Sequence, residues 1–288
     1  PAAALVAAAE AYDVGELKAI LGSEGAALVE TEDRVSDRNT AAAFAAEARA
    51  QQRLEFDSAG TRAVLSVGVT DWPVPMPIVK GDSGWVFDTE AGRLEVLYRR
   101  IGRNELDAIE VARGYVEAQK EYALTKHDGA LVNQYAQRVI STPGKQDGLA
   151  WQAADSSWQG PVGEGIARLI AEGYRERYEP FHGYYFKILK GQGSTAPLGE
   201  LDFVVDSAMI GGFALVAGPA EYEVTGVQTF IVSHDGIVYQ KDLGEQTLEE
   251  FQRMERYNPD STWTVVPDVE NGDQATAETT PGASAARR

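Results

Sequence analysis

The sequence predicts an α+β protein of two domains. Three observations carry that reading: the length, a change of hydrophobic period within the first hundred residues, and a second helix-then-strands order after them. At 288 residues the chain is long enough for one large domain or two of ordinary size, because single hydrophobic cores stop growing near about 250 residues. Apolar residues make up 44% of the chain and aromatics 9%, the composition of a folded protein rather than of a charge-rich disordered one.

Residues 1–98 read as helices followed by strands. Leu5, Ala8, Ala9 and Tyr12 keep helical spacing, and a second short helix runs through Leu17, Ile20 and Leu21. Asp37 offers an N-cap for a third helix through the alanine-rich stretch around Phe44. The period then becomes two at Ala63, Leu65, Val67 and Val69, and a further run at Met76, Ile78 and Val79 is joined to Trp85, Val86 and Phe87 by the turn Gly81-Asp82-Ser83-Gly84. The expected unit is a cone-like one, with helices on a curved antiparallel sheet.

Residues 99–266 are expected to form the second domain. Asn104 is the expected cap of a long helix over about 105–125, with Asp107 reaching back to it. Leu106, Ile109, Val116 and Ala123 lie on one face of that helix, and Arg113, Glu117, Lys120 and Glu121 form a charged face. Strand-like runs follow at 184–189, 201–205, 213–216 and 227–232, and Asp235-Gly236 turns the last of them into Ile237-Val238-Tyr239. The expectation is one long helix packed on an antiparallel sheet. Residues 267–288 lack a hydrophobic pattern and predict a flexible acidic tail, because they cannot bury enough apolar surface to offset the entropy of ordering.

Composition narrows the functional classes. The net charge of -18 repels nucleic-acid phosphates and anionic lipid surfaces, and no lysine- or arginine-rich run offsets it, so no nucleic-acid partner is expected. No window approaches the roughly 18 to 20 consecutive apolar residues of a membrane span. The chain opens Pro1-Ala2-Ala3-Ala4, which reads as what is left once a signal peptide is cut, with an engineered truncation as the plain alternative. With no cysteine anywhere, disulfides, thiol catalysis and thiolate metal sites are excluded, and passage through an oxidising compartment carries no thiol hazard. A periplasmic or extracellular location is the expectation.

Four motifs bear on chemistry. Gly81-Asp82-Ser83-Gly84 spells part of a serine-protease nucleophile motif, but the first histidine, His127, belongs to the other expected domain and a turn is needed there anyway. Gly191-Gln192-Gly193-Ser194-Thr195-Ala196 has the spacing of a dinucleotide fingerprint, yet Pro197-Leu198-Gly199 follows where a helix N-terminus would have to meet the pyrophosphate. His127, His182 and His234 are isolated, with His182 read as the start of a strand and His234 in a turn, and no pair at i and i+4 marks a metal site. Loop aspartates could ligate calcium, which asks only for several convergent oxygens, but no spacing singles out such a set. No catalytic residue, cofactor site or metal site is therefore predicted. Arg99, Arg100 and Arg103 form the one local basic cluster. It is expected to bridge the two domains through carboxylates or, failing that, to bind an anion.

Several strings taken together resemble one family. They are Asp71-Trp72-Pro73 with Pro75 and Pro77, Trp85-Val86-Phe87-Asp88, the run from Arg99 to Leu106, Ser141-Thr142-Pro143-Gly144-Lys145-Gln146-Asp147-Gly148, His182-Gly183-Tyr184-Tyr185-Phe186, Met209-Ile210-Gly211-Gly212-Phe213-Ala214, and the run from Val238 to Gly244. They look like the bacterial exported family catalogued as domain of unknown function 2950, over nearly everything up to about Trp263. The resemblance implies export and assigns no activity. At the level of fold, residues 1–97 are similar to the cone-shaped domain of nuclear-transport-factor-2-like proteins. The second half is similar to the soluble part of type IV pilins and pseudopilins, without their hydrophobic N-terminal half-helix. Together these readings point to a non-enzymatic envelope protein that binds or assembles, with a protein partner or a second copy of itself. The rival is a hydrolase or other small-molecule enzyme with a pocket in the cone-like domain.

Overall fold

The computed structural model describes residues 1–82, 84–172 and 179–267. The expected tail from 268 onward and Ser83 of the Gly-Asp-Ser-Gly turn lie outside the described residues. The chain is a mixture of helix and sheet, as an α+β class requires.

The first helices are α1 (Ala2–Ala11), α2 (Val14–Leu21), the single turn α3 (Ala26–Val29) and α4 (Arg34–Ala50). Helix α4 begins three residues before the expected cap. Asp33 is the N-cap, its Oδ1 accepting from the Ser36 amide at 2.9 Å, while Asp37 sits in the first turn and takes the Thr31 amide and hydroxyl instead. Strands β1 (Gln52–Phe56), β2 (Arg62–Val67), β3 (Trp72–Pro73), β4 (Ile78–Gly81) and β5 (Gly84–Phe87) form an antiparallel sheet in the order β1-β2-β4-β5, with β3 also paired to β2. Gly81 pairs with Gly84 across the hairpin that the sequence predicted. Ala63, Leu65, Val67, Ile78 and Phe87 point from this sheet into an apolar core shared with Leu5, Val6, Leu17, Leu21 and Ala48 of the helices.

Helix α5 (Thr89–Tyr122) corrects the expected helix start. It begins at Asp88, whose carboxylate accepts from the Ala91 amide, and runs unbroken for 34 residues. The reason is visible in the buried positions Leu97, Ile101, Asn104, Ala108, Ala112, Tyr115, Gln119 and Tyr122, spaced three or four apart through the whole stretch with no proline to interrupt them. Asn104 is therefore no cap but a buried mid-helix residue, and Asp107 does not reach back to it. Residues 98 and 99 are consecutive positions of one helix, so no linker separates them.

Beyond α5 come the short hairpin β6 (Trp151–Gln152) and β7 (Trp158–Gln159), helix α6 (Gly163–Glu172), and strand β8 (Tyr184–Leu189). Two minimal antiparallel pairs follow, β9 (Gly191–Gln192) with β10 (Leu201–Asp202), and β11 (Val204–Val205) with β12 (Ala208–Met209). The expected single strand over 201–205 is thus split at Phe203, which turns into the core and is fully buried. Strands β13 (Ala214–Pro219), β14 (Gln228–Ser233) and β15 (Val238–Asp242), helix α7 (Thr247–Arg253) and strand β16 (Thr264–Val265) complete the described residues.

The second sheet is antiparallel in the order β16-β15-β14-β13-β8. Its inner strand β13 is buried at all six positions because α5 and α7 both pack against it, which accounts for the unbroken apolar run from Phe213 to Ala217. A second apolar core gathers here from Ala108, Ala112, Tyr115 and Val116 of α5 with Tyr184, Phe203, Phe213, Val216, Phe230 and Tyr257. Gln119 lies at its centre with no exposed surface, its amide nitrogen donating to the Tyr115 hydroxyl and the Ala136 carbonyl and its oxygen accepting from the Ala136 amide. A buried carboxamide is tolerable only when its bonds are made in this way. No helix among the described residues is long and apolar enough to cross a membrane.

Candidate functional site: a neutral cleft and a polar seam

Two places concentrate polar groups. The first is a seam where α5 meets loops of both cores. Arg100 donates from Nη1 to the Ala27 carbonyl at 2.6 Å and from Nη2 to the Leu28 carbonyl at 2.7 Å, so it satisfies two carbonyls of the one-turn helix α3. Burial pulls its guanidinium below the usual value, Asp37 and Glu221 push it back up, and Arg103 adds a small repulsion. One turn on, Asn104 donates to the Thr225 carbonyl at 2.9 Å, and Glu105 accepts the Val227 and Gln228 amides at 3.0 Å each. Asp33 uses its second oxygen to accept the Gly183 amide at 2.8 Å, and Glu221 accepts the Glu32 amide at 2.6 Å.

His182, expected to begin a strand, instead holds a left-handed turn at φ 47 just ahead of β8, and its Nδ1 lies 2.7 Å from Asp107. That conformation lets Gly183 follow at φ 75 and bring its amide to Asp33. The three arginines of the sequence cluster part company here. Arg99 lies along the surface of α5, bonded to Glu95 at 2.7 Å and stacked over Trp72 at 5.1 Å. Arg103 is exposed. Only Arg100 enters the seam.

The second place is a cleft of about 470 Å³ at the other end of α5, lined by Ile140, Ser141, Thr142, Pro143, Gly144, Gln152, Ala153, Ala154 and Trp158. One wall is the Ser141–Gly148 loop. Asp147 clasps it by accepting the Thr142 amide and hydroxyl at 2.7 and 2.8 Å, and Ser141 Oγ accepts the Gly148 amide at 2.9 Å. Partial burial works to raise the Asp147 carboxyl, but the Thr142 donors and Arg138 outweigh it and hold it below the ordinary value. The other wall is the β6–β7 hairpin, in which Gln152 pairs with Trp158 and Trp151 with Gln159. Alternation sends Gln152 and Trp158 to the cleft. Trp151, on the opposite face, lies 5.5 Å from the His127 ring.

His127 is part of the support and not of the lining. It is buried, stacked on Tyr122 at 3.9 Å, with Nε2 3.0 Å from the Tyr122 carbonyl and Nδ1 3.4 Å from Gln146 Oε1. Burial, with Asp128 and Asp147 adding to it, pushes the Tyr122 hydroxyl up to about 12, and that hydroxyl donates to the Gln146 carbonyl. Thus the last turn of α5 anchors the loop that walls the cleft.

A family model described as Protein of unknown function (DUF2950) matches residues 1–266. The chain belongs to that family. No curated protein and no solved structure matches it. Three of the family-like strings in this DUF2950 chain thus fall in the two sites: the run from Arg99 to Leu106 with His182-Gly183 makes the seam, and Ser141 to Gly148 makes one wall of the cleft.

The Gly191–Ala196 segment of this DUF2950 chain is short strand β9 followed by turns, with no helix behind it. Among the described residues no group of three or more histidine or carboxylate side chains converges as a metal site. Sequence reasoning gave Gln152 and Trp158 no role. The signal available for them is the Trp-Gln pair repeated at 151–152 and 158–159 around an Asp-Ser turn.

Proposed function

We propose that this DUF2950 protein is a non-enzymatic binding protein of the bacterial cell envelope, and that its cleft takes a neutral, hydroxyl-rich ligand of the saccharide type. The observation that carries this is the lining itself, an indole beside a free carboxamide with no ionisable side chain around them. Acid–base catalysis needs a titratable group within reach of the reacting atoms. Recognition of a sugar needs an aromatic face for its C–H groups and neutral hydrogen-bonding partners for its hydroxyls. The Ser141 hydroxyl is already engaged by the Gly148 amide and has no base beside it in the lining, which argues against a nucleophile.

In this reading the chain has two domains. The helices and five-stranded sheet of the first form a cone-like unit, and the second is a pilin-like helix on a sheet. Two separate apolar cores support that division, with α5 as the shared strut and the seam as the joint. Arg100 acts as the interdomain anchor, while Arg99 and Arg103 remain on the surface for a partner's anionic groups. Export fits the cysteine-free composition.

Calorimetric titration of the full chain with a neutral N-acetylglucosamine tetramer tests the cleft. Binding is expected in the parent and at least about tenfold weaker in Trp158→Ala, since a stacked aromatic dominates such sites. Equal heats from parent and variant, or none from either, remove the saccharide reading.

A further inference from the structure

The first sheet ends on an edge with unusual order in its charges. Among the described residues strand β1 pairs only with β2, and all five of its residues are exposed. Its register with β2 fixes which backbone groups are used. Asp57 donates to the Arg62 carbonyl, and Gly68 donates to the Gln51 carbonyl, so the odd positions 51, 53, 55 and 57 bond inward to β2. The amides and carbonyls of Gln52, Leu54 and Phe56 therefore point outward from the sheet. An edge of this kind is a template for another strand unless something blocks it. Proteins block such edges with proline, with bulges or with charges that repel. Here the sequence is Gln52-Arg53-Leu54-Glu55-Phe56, with no proline and one charge of each sign.

We propose that β1 is the self-association edge of this protein, and that a second copy of the chain pairs with it antiparallel about a two-fold axis at Leu54. In that register Leu54 faces the partner's Leu54, and Gln52 faces the partner's Phe56. These are the outward-pointing positions, so they make the main-chain bonds. Arg53 falls opposite the partner's Glu55 and Glu55 opposite the partner's Arg53, at the non-hydrogen-bonded positions where side chains come closest.

The neighbouring registers with correct bonding place Arg53 against itself or Glu55 against itself, so the charges select one register of three. A slip by a single residue is excluded, because it sets each outward-pointing residue opposite one whose amide and carbonyl are already bonded to β2. A two-fold axis makes the interface isologous, so each favourable pair occurs twice.

The apolar residues of the edge agree with this partner. Leu54 and Phe56 sit opposite Leu65 and Ala63, on the core-facing side of the sheet, yet they are 43% and 58% exposed. They overhang the core at the open edge. Pairing extends the sheet across the axis and gives both a neighbour on that side. Phe56 is also held edge-on to Trp85 at 5.6 Å, which fixes its ring for contact. In the isolated chain Arg53 settles for contacts at 3.0 Å to Glu55 and 3.4 Å to Asp71, all well exposed. Such pairs contribute little and are easily exchanged for a cross-strand partner.

Sedimentation equilibrium of the full chain at physiological ionic strength, where charges beyond about 8 Å are screened, reads the association directly. The parent is expected to form dimers in the micromolar range. Arg53→Glu and Glu55→Arg each place like charges opposite one another twice over and should weaken the dimer about tenfold or more. The double reversal Arg53→Glu/Glu55→Arg should restore it, and a mixture of the two single variants should form a mixed dimer. Leu54→Pro should abolish it without loosening β2, because the amide it removes is one that β2 does not use. Circular dichroism confirms that each variant is folded. A parent that stays monomeric up to about 0.5 mM, or single reversals as dimeric as the parent, would overturn the proposal.

Discussion

Arg100→Ala is expected to lower folding stability by about 2 to 4 kcal/mol, because it leaves the Ala27 and Leu28 carbonyls and the Asp37 carboxylate without their cation in a half-buried seam. Arg103→Ala, at an exposed position, should stay within about 0.5 kcal/mol of the parent. Urea denaturation of the two variants side by side checks the contrast.

A pH dependence accompanies it. Burial raises the Asp37 carboxyl above its ordinary value, against the lowering by the Thr31 donors and Arg100. The folded chain thus holds this proton more tightly than the unfolded one. The contribution of the group to stability is fully present below the ordinary carboxylate pKa and is lost as pH rises through the elevated folded value. Removing Arg100 takes away a lowering influence, so the elevation grows and the loss on going upward from about pH 4 becomes steeper. Arg100→Ala/Asp37→Asn should flatten that slope. An Arg100→Ala protein as stable as the parent, with an unchanged pH profile, would mean that the seam does not depend on this residue.

Gly183→Ala is expected to cost about 3 kcal/mol or more, and Gly102→Ala to add about 0.5 to 1 kcal/mol, although the chemical change is the same. Gly183 holds φ 75, and a Cβ there would lie 2.5 Å from Asn104 Nδ2 and 2.9 Å from the Thr225 Cβ. The substitution strains the backbone and drives apart the groups that join α5 to the loop before β14. Gly102 sits inside α5 with nothing within 4 Å of the position a Cβ would take. Alanine there only restricts the unfolded chain and favours the helix. Thermal unfolding of the two variants should move in opposite directions. A stabilised Gly183→Ala would show that the seam is looser than its distances imply.

The hairpins and the buried strands were legible because their signals are local. Asp235-Gly236 and the Gly81 to Gly84 turn sit between runs of residues that prefer strands, and the apolar run at Phe213 to Val216 reads as a strand, although its burial at every position emerges only from the packing of α5 and α7. The seam was only half legible. Arginines at 99, 100 and 103 stood out as a cluster, yet successive helical positions point about 100° apart. That rotation places Arg99 over Trp72, leaves Arg103 exposed and sends Arg100 alone to α3. Asn104 looked like a cap because capping residues are read by type, whereas the apolar spacing carries the helix straight through it to Asp88.

By itself the sequence determined the α+β class, the acidic and cysteine-free character, most of the strands and the family. It did so because composition, two-residue alternation and turn chemistry act between near neighbours in the chain. The tertiary structure alone decided that one helix serves both apolar cores, and that Asp33 and Gly183 meet 150 positions apart. It also decided that Gln152 and Trp158 line a cleft walled by the Thr142–Asp147 clasp, and that Gln52, Leu54 and Phe56 are left on an open edge. Each of these depends on which segments pack together, and packing between distant segments is set by the fit of whole surfaces, which no local pattern records.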